Sequence, residues 1–190
     1  MMENKWLGSK SGQGFYKKEG KIIRVLDLNT LEYRDKKRSN FATLELTKSI
    51  DNVIDRFKVL VDGEDKAGEF YRKNFAAMFA YVSNRIPEIS EELFKIDDAM
   101  KAGFGWEHGP FQIWDAVGVE KGLALIKAEG LIAAQWVFDM VALGNNSFYT
   151  IENGATFAFD IAIKKQLKIP GQDAFIILDN IRKSNEVFKN

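Results

Sequence analysis

The sequence predicts a mainly α-helical chain with a small β-hairpin near each end. Two observations carry that prediction. Apolar residues recur at helical spacing through most of the stretch from Lys48 to Leu143, whereas the segments around Phe15 to Tyr33 and after Gly144 read as short extended runs joined by turn residues. At 190 residues the chain is long enough for one good-sized core or two small ones, burying roughly 70% of its unfolded surface.

Between Phe15 and Tyr33, Glu19-Gly20 offers one turn and Asp27 to Thr30 another, which predicts a hairpin. From Lys48 the period changes. Ile50, Val53, Ile54, Phe57, Leu60 and Val61 follow one helical face, ended by Asp62-Gly63. Phe70, Tyr71, Phe75, Met78, Phe79 and Val82 define a longer helix. After Pro87, the spacing of Ile89, Leu93, Ile96, Met100 and Phe104 predicts another, stopped by Gly103 and Gly105. Gly109 and Pro110 restart the helical pattern, since proline in a first turn has no N–H to leave unpaired. Behind them Phe111, Ile113, Trp114 and Val117 supply an apolar surface. Two further helices are predicted over Val119 to Ala128 and Leu131 to Leu143, divided at Gly130. On residue chemistry the stretch from Asp97 to Gly118 is a buried helix-turn-helix corner. Its structural motif is Gly103, Gly105, Gly109, Pro110, Phe111, Trp114 and Asp115, because glycines and aromatics at a turn usually pack.

The hairpin pattern returns after Gly144. Phe148-Tyr149 lies 133 positions after Phe15-Tyr16, Gly154 lies 134 after Gly20, and Asp160 lies 133 after Asp27. Phe175 to Leu178 follows Phe41 to Leu44 by 134, and Lys183-Ser184 follows Lys48-Ser49 by 135. Matches kept in order over this length indicate the end of one unit, a whole second unit and a trailing linker. The domain boundaries this implies are 1–40, 41–144 and 145–190.

Composition excludes several function classes. Lys plus Arg (27) balances Asp plus Glu (27), so no long-range field gathers nucleic acid or anionic lipid. The chain has no Cys, which rules out a disulfide framework and thiolate metal sites and fits a reducing, cytoplasmic setting. The opening MMENKWLGSK has no apolar signal core. The longest apolar run, Leu131 to Leu143, is too short to span a bilayer and is interrupted by Gln135 and Asp139. With 15 phenylalanines, a well-filled core or an extensive interface is expected.

The run DDAMKAGFGWEHGPFQIWDAVG, Asp97 to Gly118, resembles a stretch near the carboxyl end of 3-hydroxyacyl-CoA dehydrogenases, including multifunctional fatty-acid oxidation proteins. There an acidic start, AMK, paired glycines and GPF followed by a Trp-Asp or Leu-Asp pair recur together. In multifunctional members a nucleotide-binding domain precedes two related helical domains, and the first often closes with a motif similar to WLGSKSGQGFYKK, here Trp6 to Lys18. The resemblance implies a 6-phosphogluconate dehydrogenase C-terminal-like helical domain in a piece of a longer, NAD-dependent parent of β-oxidation. Its partners would be upstream NAD-binding and first helical domains, and a downstream enoyl-CoA hydratase domain that KSNEVFKN, Lys183 to Asn190, would lead into. The parent's substrate would be an acyl-CoA, and the piece alone would expose an apolar face and self-associate.

The dehydrogenase chemistry itself is not legible in these residues. A hydride transfer to NAD needs a strand, a glycine-rich turn and a helix amino terminus at the pyrophosphate, but Gly12-Gln13-Gly14 and Gly103-Phe104-Gly105 both lack the third glycine. The family's catalytic His and orienting Glu, a general-base arrangement suited to taking a hydroxyl proton near neutral pH, belong by resemblance to the nucleotide domain. His108, within EHGPF, does not match that His, and one His without Cys makes a transition-metal site improbable. Neither catalytic, cofactor-binding nor metal-binding residues are therefore expected here. Asn84-Arg85, within YVSNRIP, matches a pair whose Asn in the first helical domain helps position the acyl-CoA carbonyl. In this second copy Asn84 is a candidate substrate contact or a helix-junction cap. Glu91-Glu92 and Asp97-Asp98 read as solvated faces or caps, and the basic run Arg34 to Arg38 as solvent-exposed. Two other readings stand beside this one: a free-standing acyl-CoA-binding or dimerisation module, and a hydrolase using Glu107 and His108, which lacks a nucleophile at a recognisable spacing.

Overall fold

The structure, a computed structural model, describes residues 1–37, 40–172, 176–178, 180 and 181. It divides into two compact units, Met1–Asn40 and Phe41–Asn190. Phe175, Arg38 and the Lys183 to Asn190 tail, on which parts of the sequence reading fall, lie outside the described residues.

The first unit is a three-stranded antiparallel sheet in the order β1 (Tyr16–Glu19), β2 (Ile22–Leu26), β3 (Tyr33–Arg34), after a 3-10 turn at Ser9–Ser11. Tyr16 pairs with Val25, and Leu26 with Tyr33. The third strand exceeds the expected hairpin. At two residues it is too short to show alternation, and a contact from Tyr33 Oη to the Gly14 carbonyl, 2.7 Å, helps hold it.

The second unit begins with seven helices: α1 (Ala42–Thr47), α2 (Val53–Asp62), α3 (Lys66–Asn84), α4 (Leu93–Phe104), α5 (Pro110–Val117), α6 (Val119–Ala128) and α7 (Gln135–Ala142). A second antiparallel sheet follows, β4 (Tyr149–Glu152), β5 (Ala155–Asp160), β6 (Lys165–Lys168). The mainly helical class with small flanking sheets is as the sequence predicts, with five local corrections. Helix α2 starts at Val53 behind its Asn52 cap, which leaves Ile50 outside it. Helix α1 was not expected; six residues are too few to display a period. Helix α4 starts at Leu93, which leaves Ile89 outside it and 66% exposed. It also runs through Gly103 and closes only at Gly105, whose φ of 66° makes it the left-handed cap. Helix α7 starts at Gln135, behind an extended Ala134, because the residues before it are tied to the tip of α3: the Ala134 N–H donates to Ser83 Oγ at 3.1 Å, and Asn84 Nδ2 donates to the Ile132 carbonyl at 2.9 Å.

The core of this unit is a chain of rings. Phe79 stacks on Trp114 with centroids 4.7 Å apart, and Trp114 meets Phe148 edge-on at 5.1 Å, as does Phe111. Trp136 closes the group, 5.8 Å from Phe148. Phe148, Ala158 and Phe159 are buried, so the second sheet is a wall of the helical core and belongs to the same compact unit.

The internal repeat has a structural form. In β1–β2 the pairs are Tyr16–Val25, Lys17–Arg24, Lys18–Ile23 and Glu19–Ile22; in β4–β5 they are Tyr149–Ala158, Thr150–Phe157, Ile151–Thr156 and Glu152–Ala155. Each partner is moved on by 133, and the same holds for β2–β3 against β5–β6. This register corrects one equivalence. Gly20 corresponds to Asn153 and not to Gly154, and the two share positive φ, 63° and 51°, which asparagine tolerates better than most residues.

Candidate functional site

The stretch from Asp97 to Gly118 forms a corner between α4 and α5, built on two aspartates. Asp97, in α4, is 1% exposed. Its carboxylate accepts the Phe111 N–H at 2.9 Å and the Gln112 N–H at 3.0 Å, two of the donors that a helix start leaves without intrahelical partners. It also accepts the Tyr149 hydroxyl at 2.8 Å. Thus Asp97 caps α5 from another helix, while its neighbour Asp98 is exposed and pairs with Lys101. One turn into α5 the pattern recurs: the half-buried Asp115 accepts the Phe148 N–H at 2.7 Å and the Tyr149 N–H at 2.9 Å. The two carboxylates hold α4, α5 and β4 as one body.

Glycine at 109 allows the close approach. A Cβ there would collide with the Cα, Cβ and Cγ of Asp97. Pro110 follows at the first helical position, buried, and Gln112 Oε1 accepts the Gly109 N–H at 3.0 Å. Phe111 and Trp114 are fully buried, and Trp114 Nε1 donates to the Val119 carbonyl at 3.1 Å. Gly103 is exposed, with open space where a Cβ would stand.

Burial dominates the electrostatics of the corner. It pushes the Asp97 carboxyl up to about 6, against the pull of its N–H and hydroxyl donors. Asp115 is pushed up to about 7, by burial first and also by the nearby Asp97 charge. Tyr149 is raised by burial and by Asp97, which keeps it a neutral donor. Asp65, which caps α3, shows the opposite balance. It accepts N–H groups from Thr43, Ala67 and Gly68, all at 3.0 Å, and stays nearer solvent, so the donors, Thr43 first, hold it below the ordinary range.

Asn84 lies at the end of α3, and both hydrogen bonds from its Nδ2 go to backbone carbonyls, Ala80 at 2.8 Å and Ile132 at 2.9 Å. His108 is in the turn before α5, with Nε2 3.7 Å from the Glu107 carboxylate. It lines a cavity of about 370 Å³ with Gln112, Asp115 and Tyr149. A second cavity, of about 470 Å³, is almost wholly apolar and lies between α3 and α4, lined by Met78, Tyr81, Ile96, Met100 and Trp106 with Arg85 and Lys95. Among the described residues, all strand pairs are antiparallel and no group of three or more His, Cys, Asp or Glu is placed to hold a metal. No helix among them is long and apolar enough to cross a membrane.

This corner lies within the residues that match a known family. Residues 70–144 match the family described as 3-hydroxyacyl-CoA dehydrogenase, C-terminal domain. These residues carry that domain. A protein of Bacillus subtilis (strain 168) named as a 3-hydroxyacyl-CoA dehydrogenase is 39% identical over 160 residues, which cover 84% of this chain and 20% of the relative. A protein of Rickettsia felis named as a fatty acid oxidation complex trifunctional enzyme is 24% identical over 136 residues, 70% of this chain and 17% of that one. A similarly named protein of Rickettsia prowazekii is 25% identical over 130 residues. The chain therefore spans about a fifth or less of the length of these curated relatives. No solved structure matches it significantly. The Asp97 to Gly118 run falls within the matched residues, and in it Asp97 and Asp115 bond the start of α5 and the backbone leading into β4. The sequence pattern pointed to its glycines and rings. It did not distinguish Asp97 from Asp98, because only the tertiary approach of α5 separates them.

Proposed function

We propose that this chain is a carboxyl-terminal structural part of an NAD-dependent 3-hydroxyacyl-CoA dehydrogenase acting in fatty-acid β-oxidation, and that it is catalytically silent alone. The carrying observation is that the family motif is spent on architecture: its aspartates, glycine, proline and rings are engaged with one another or with the β4 backbone. In the parent, the cytoplasmic setting, the NAD and the acyl-CoA cleft would be supplied around this part, with an upstream NAD-binding and first helical domain and a downstream hydratase domain as neighbours. Its role there is to back the substrate cleft by packing. Asn84 fits that role, since its two amide hydrogens are already given to backbone carbonyls and leave no donor for an acyl carbonyl. The test is NADH oxidation with acetoacetyl-CoA, by this chain alone and with the upstream part of the parent added. Silence alone and turnover in the mixture support the proposal; turnover by the chain alone overturns it.

A second reading rests on the 470 Å³ apolar cavity between α3 and α4, a size within the usual range for small-molecule sites. As a free-standing module the chain would hold an acyl chain there without transforming it. Saturable, one-to-one binding of dodecanoyl-CoA, weakened by Met100→Glu and absent for CoA itself, would favour that reading.

A further inference from the structure

The 470 Å³ cavity between α3 and α4 has a cationic end and an apolar length. All of its walls come from residues 78–110, inside the second unit. Arg85, which closes α3, and Lys95, in the first turn of α4, flank the connection between the two helices. From there the lining turns apolar. Met78 lies seven residues before Arg85, about 10 Å along the helix axis, Met100 lies five after Lys95, and Ile96 and Trp106 add to the same lining. Among the described residues that line the cavity, the charged ones are both cations. Their acids stand outside it: Glu88 takes Arg85 through Nη1 at 2.6 Å and Glu92 pairs with Lys95, and neither acid lines the cavity. Arg85 Nε is buried, and among the described residues no group accepts its hydrogen. The guanidinium lies over the Tyr81 ring, 5.2 Å from its centroid, which holds it against the wall. The Ser90 hydroxyl at the same end is engaged locally, accepting the Glu92 N–H and donating to the Glu92 carbonyl, both at 3.1 Å.

A buried cationic donor without an acceptor calls for an anion. An apolar length behind it calls for a hydrocarbon chain. We propose that the cavity binds the anion of a medium-chain fatty acid, its carboxylate accepting the Arg85 Nε–H beside Lys95 and its chain lying between α3 and α4 over Met78 and Met100. This deepens the acyl-chain reading of the cavity and rests on it for the tail; the head group is what it adds. A free carboxylate suits the donor better than a thioester, because it pairs charge with charge and a thioester carbonyl does not. A ligand with several polar groups would bury them against apolar side chains without partners. A cationic amphiphile would meet Arg85 and Lys95 as like charges.

Titration calorimetry with sodium dodecanoate and with dodecanol, on the 190-residue chain in dilute solution, tests the site. Dodecanoate should saturate at one per chain and bind at least about tenfold tighter than dodecanol, the margin of a hydrogen bond to a charged group. The Arg85 Nε–H proton resonance should move downfield with dodecanoate and stay in place with dodecanol. Arg85→Met, which keeps an apolar stem, should bring the two affinities together without changing the helical circular dichroism, while Arg85→Lys should keep part of the difference. Equal affinity for the two compounds, or dodecanoate binding untouched by Arg85→Met, overturns the proposal. If the Met variant does not fold, the Nε–H resonance of the unaltered chain decides in its place. Dodecanoyl-CoA separates this site from the reading it rests on. If dodecanoyl-CoA binds and dodecanoate neither binds nor displaces it, the carboxylate site falls and the acyl-CoA module stands. Dodecanoate that binds and that dodecanoyl-CoA cannot displace supports the carboxylate site and removes the acyl-CoA module. Failure of all three compounds to bind overturns both.

Discussion

Asp97 and Asp115 are worth their burial because each satisfies backbone donors that would otherwise be stranded. Replacing Asp97 by Ala leaves the Phe111 and Gln112 N–H groups and the Tyr149 hydroxyl without their acceptor. At about 1–3 kcal/mol for an unsatisfied buried group, and less than additive, a loss of about 3 kcal/mol is expected in urea unfolding. The pH dependence has a definite sign. Both carboxyls are raised from 3.8, to about 6 and about 7. The folded state therefore holds protons that the unfolded chain releases, and their contribution is complete below 3.8 and lost as pH rises through the folded values. The urea midpoint should fall between about pH 5 and about pH 7.5, and fall less steeply in Asp115→Asn. A midpoint that rises over that range, or a slope unchanged in the variant, would contradict the assignment. The motif's glycines separate in the same way. Gly109→Ala, forced against Asp97, should destabilise by about 1–3 kcal/mol. Gly103→Ala, in the last turn of α4 and facing open space, should stabilise by up to about 0.5–1 kcal/mol.

At the scale of elements, the sequence marked what is periodic and missed what is imposed from outside. The α6 boundaries follow from its apolar face and Pro110 gives the α5 start away, whereas the starts of α2 and α3 are set by the Asn52 and Asp65 caps, which leave Ile50 outside α2 and carry α3 back to Lys66. Leu131 to Ala134 is as apolar as the helix after it, yet stays outside it, because Ser83 and Asn84 at the end of α3 claim its backbone. No local signal records those two bonds. Strand β6, Lys165–Lys168, has little β-propensity and is defined by pairing with β5. Residue type pairs Gly20 with Gly154, whereas the turn selects for positive φ, which Asn153 supplies. The repeat also sets two phenylalanines in one role with different surroundings. Phe148→Ala should cost about 3–5 kcal/mol, the usual range for a buried ring. Phe15→Ala in the same 190-residue chain should change stability by less than about 0.5 kcal/mol. Comparable losses at both positions would mean that the first sheet is covered within the chain.

Over the whole molecule, charge and apolar surface act together. Lys plus Arg equals Asp plus Glu at 27 each, with a pI near 6.6, so near neutral pH little net repulsion keeps copies apart. On the second unit, Tyr81, Ile89 and Phe104 are 62%, 66% and 74% exposed, and Tyr81 and Ile89 border the apolar cavity between α3 and α4. Exposed apolar surface of this kind is what an interface covers. In a longer enzyme a neighbouring domain would meet it; in the 190-residue chain the available partner is another copy. Sedimentation velocity should therefore show a weight-average mass that rises with concentration, most steeply near the pI and less at about pH 8.5, where the chain carries net negative charge. Because apolar contact drives it, moderate salt should strengthen the association or leave it unchanged, where an ion-paired interface would weaken. Ile89→Lys combined with Phe104→Lys should shift the chain towards monomer without altering its helical circular dichroism, since both side chains are exposed. A monomer at all concentrations, or association that salt dissolves, would assign this surface to something other than an apolar interface.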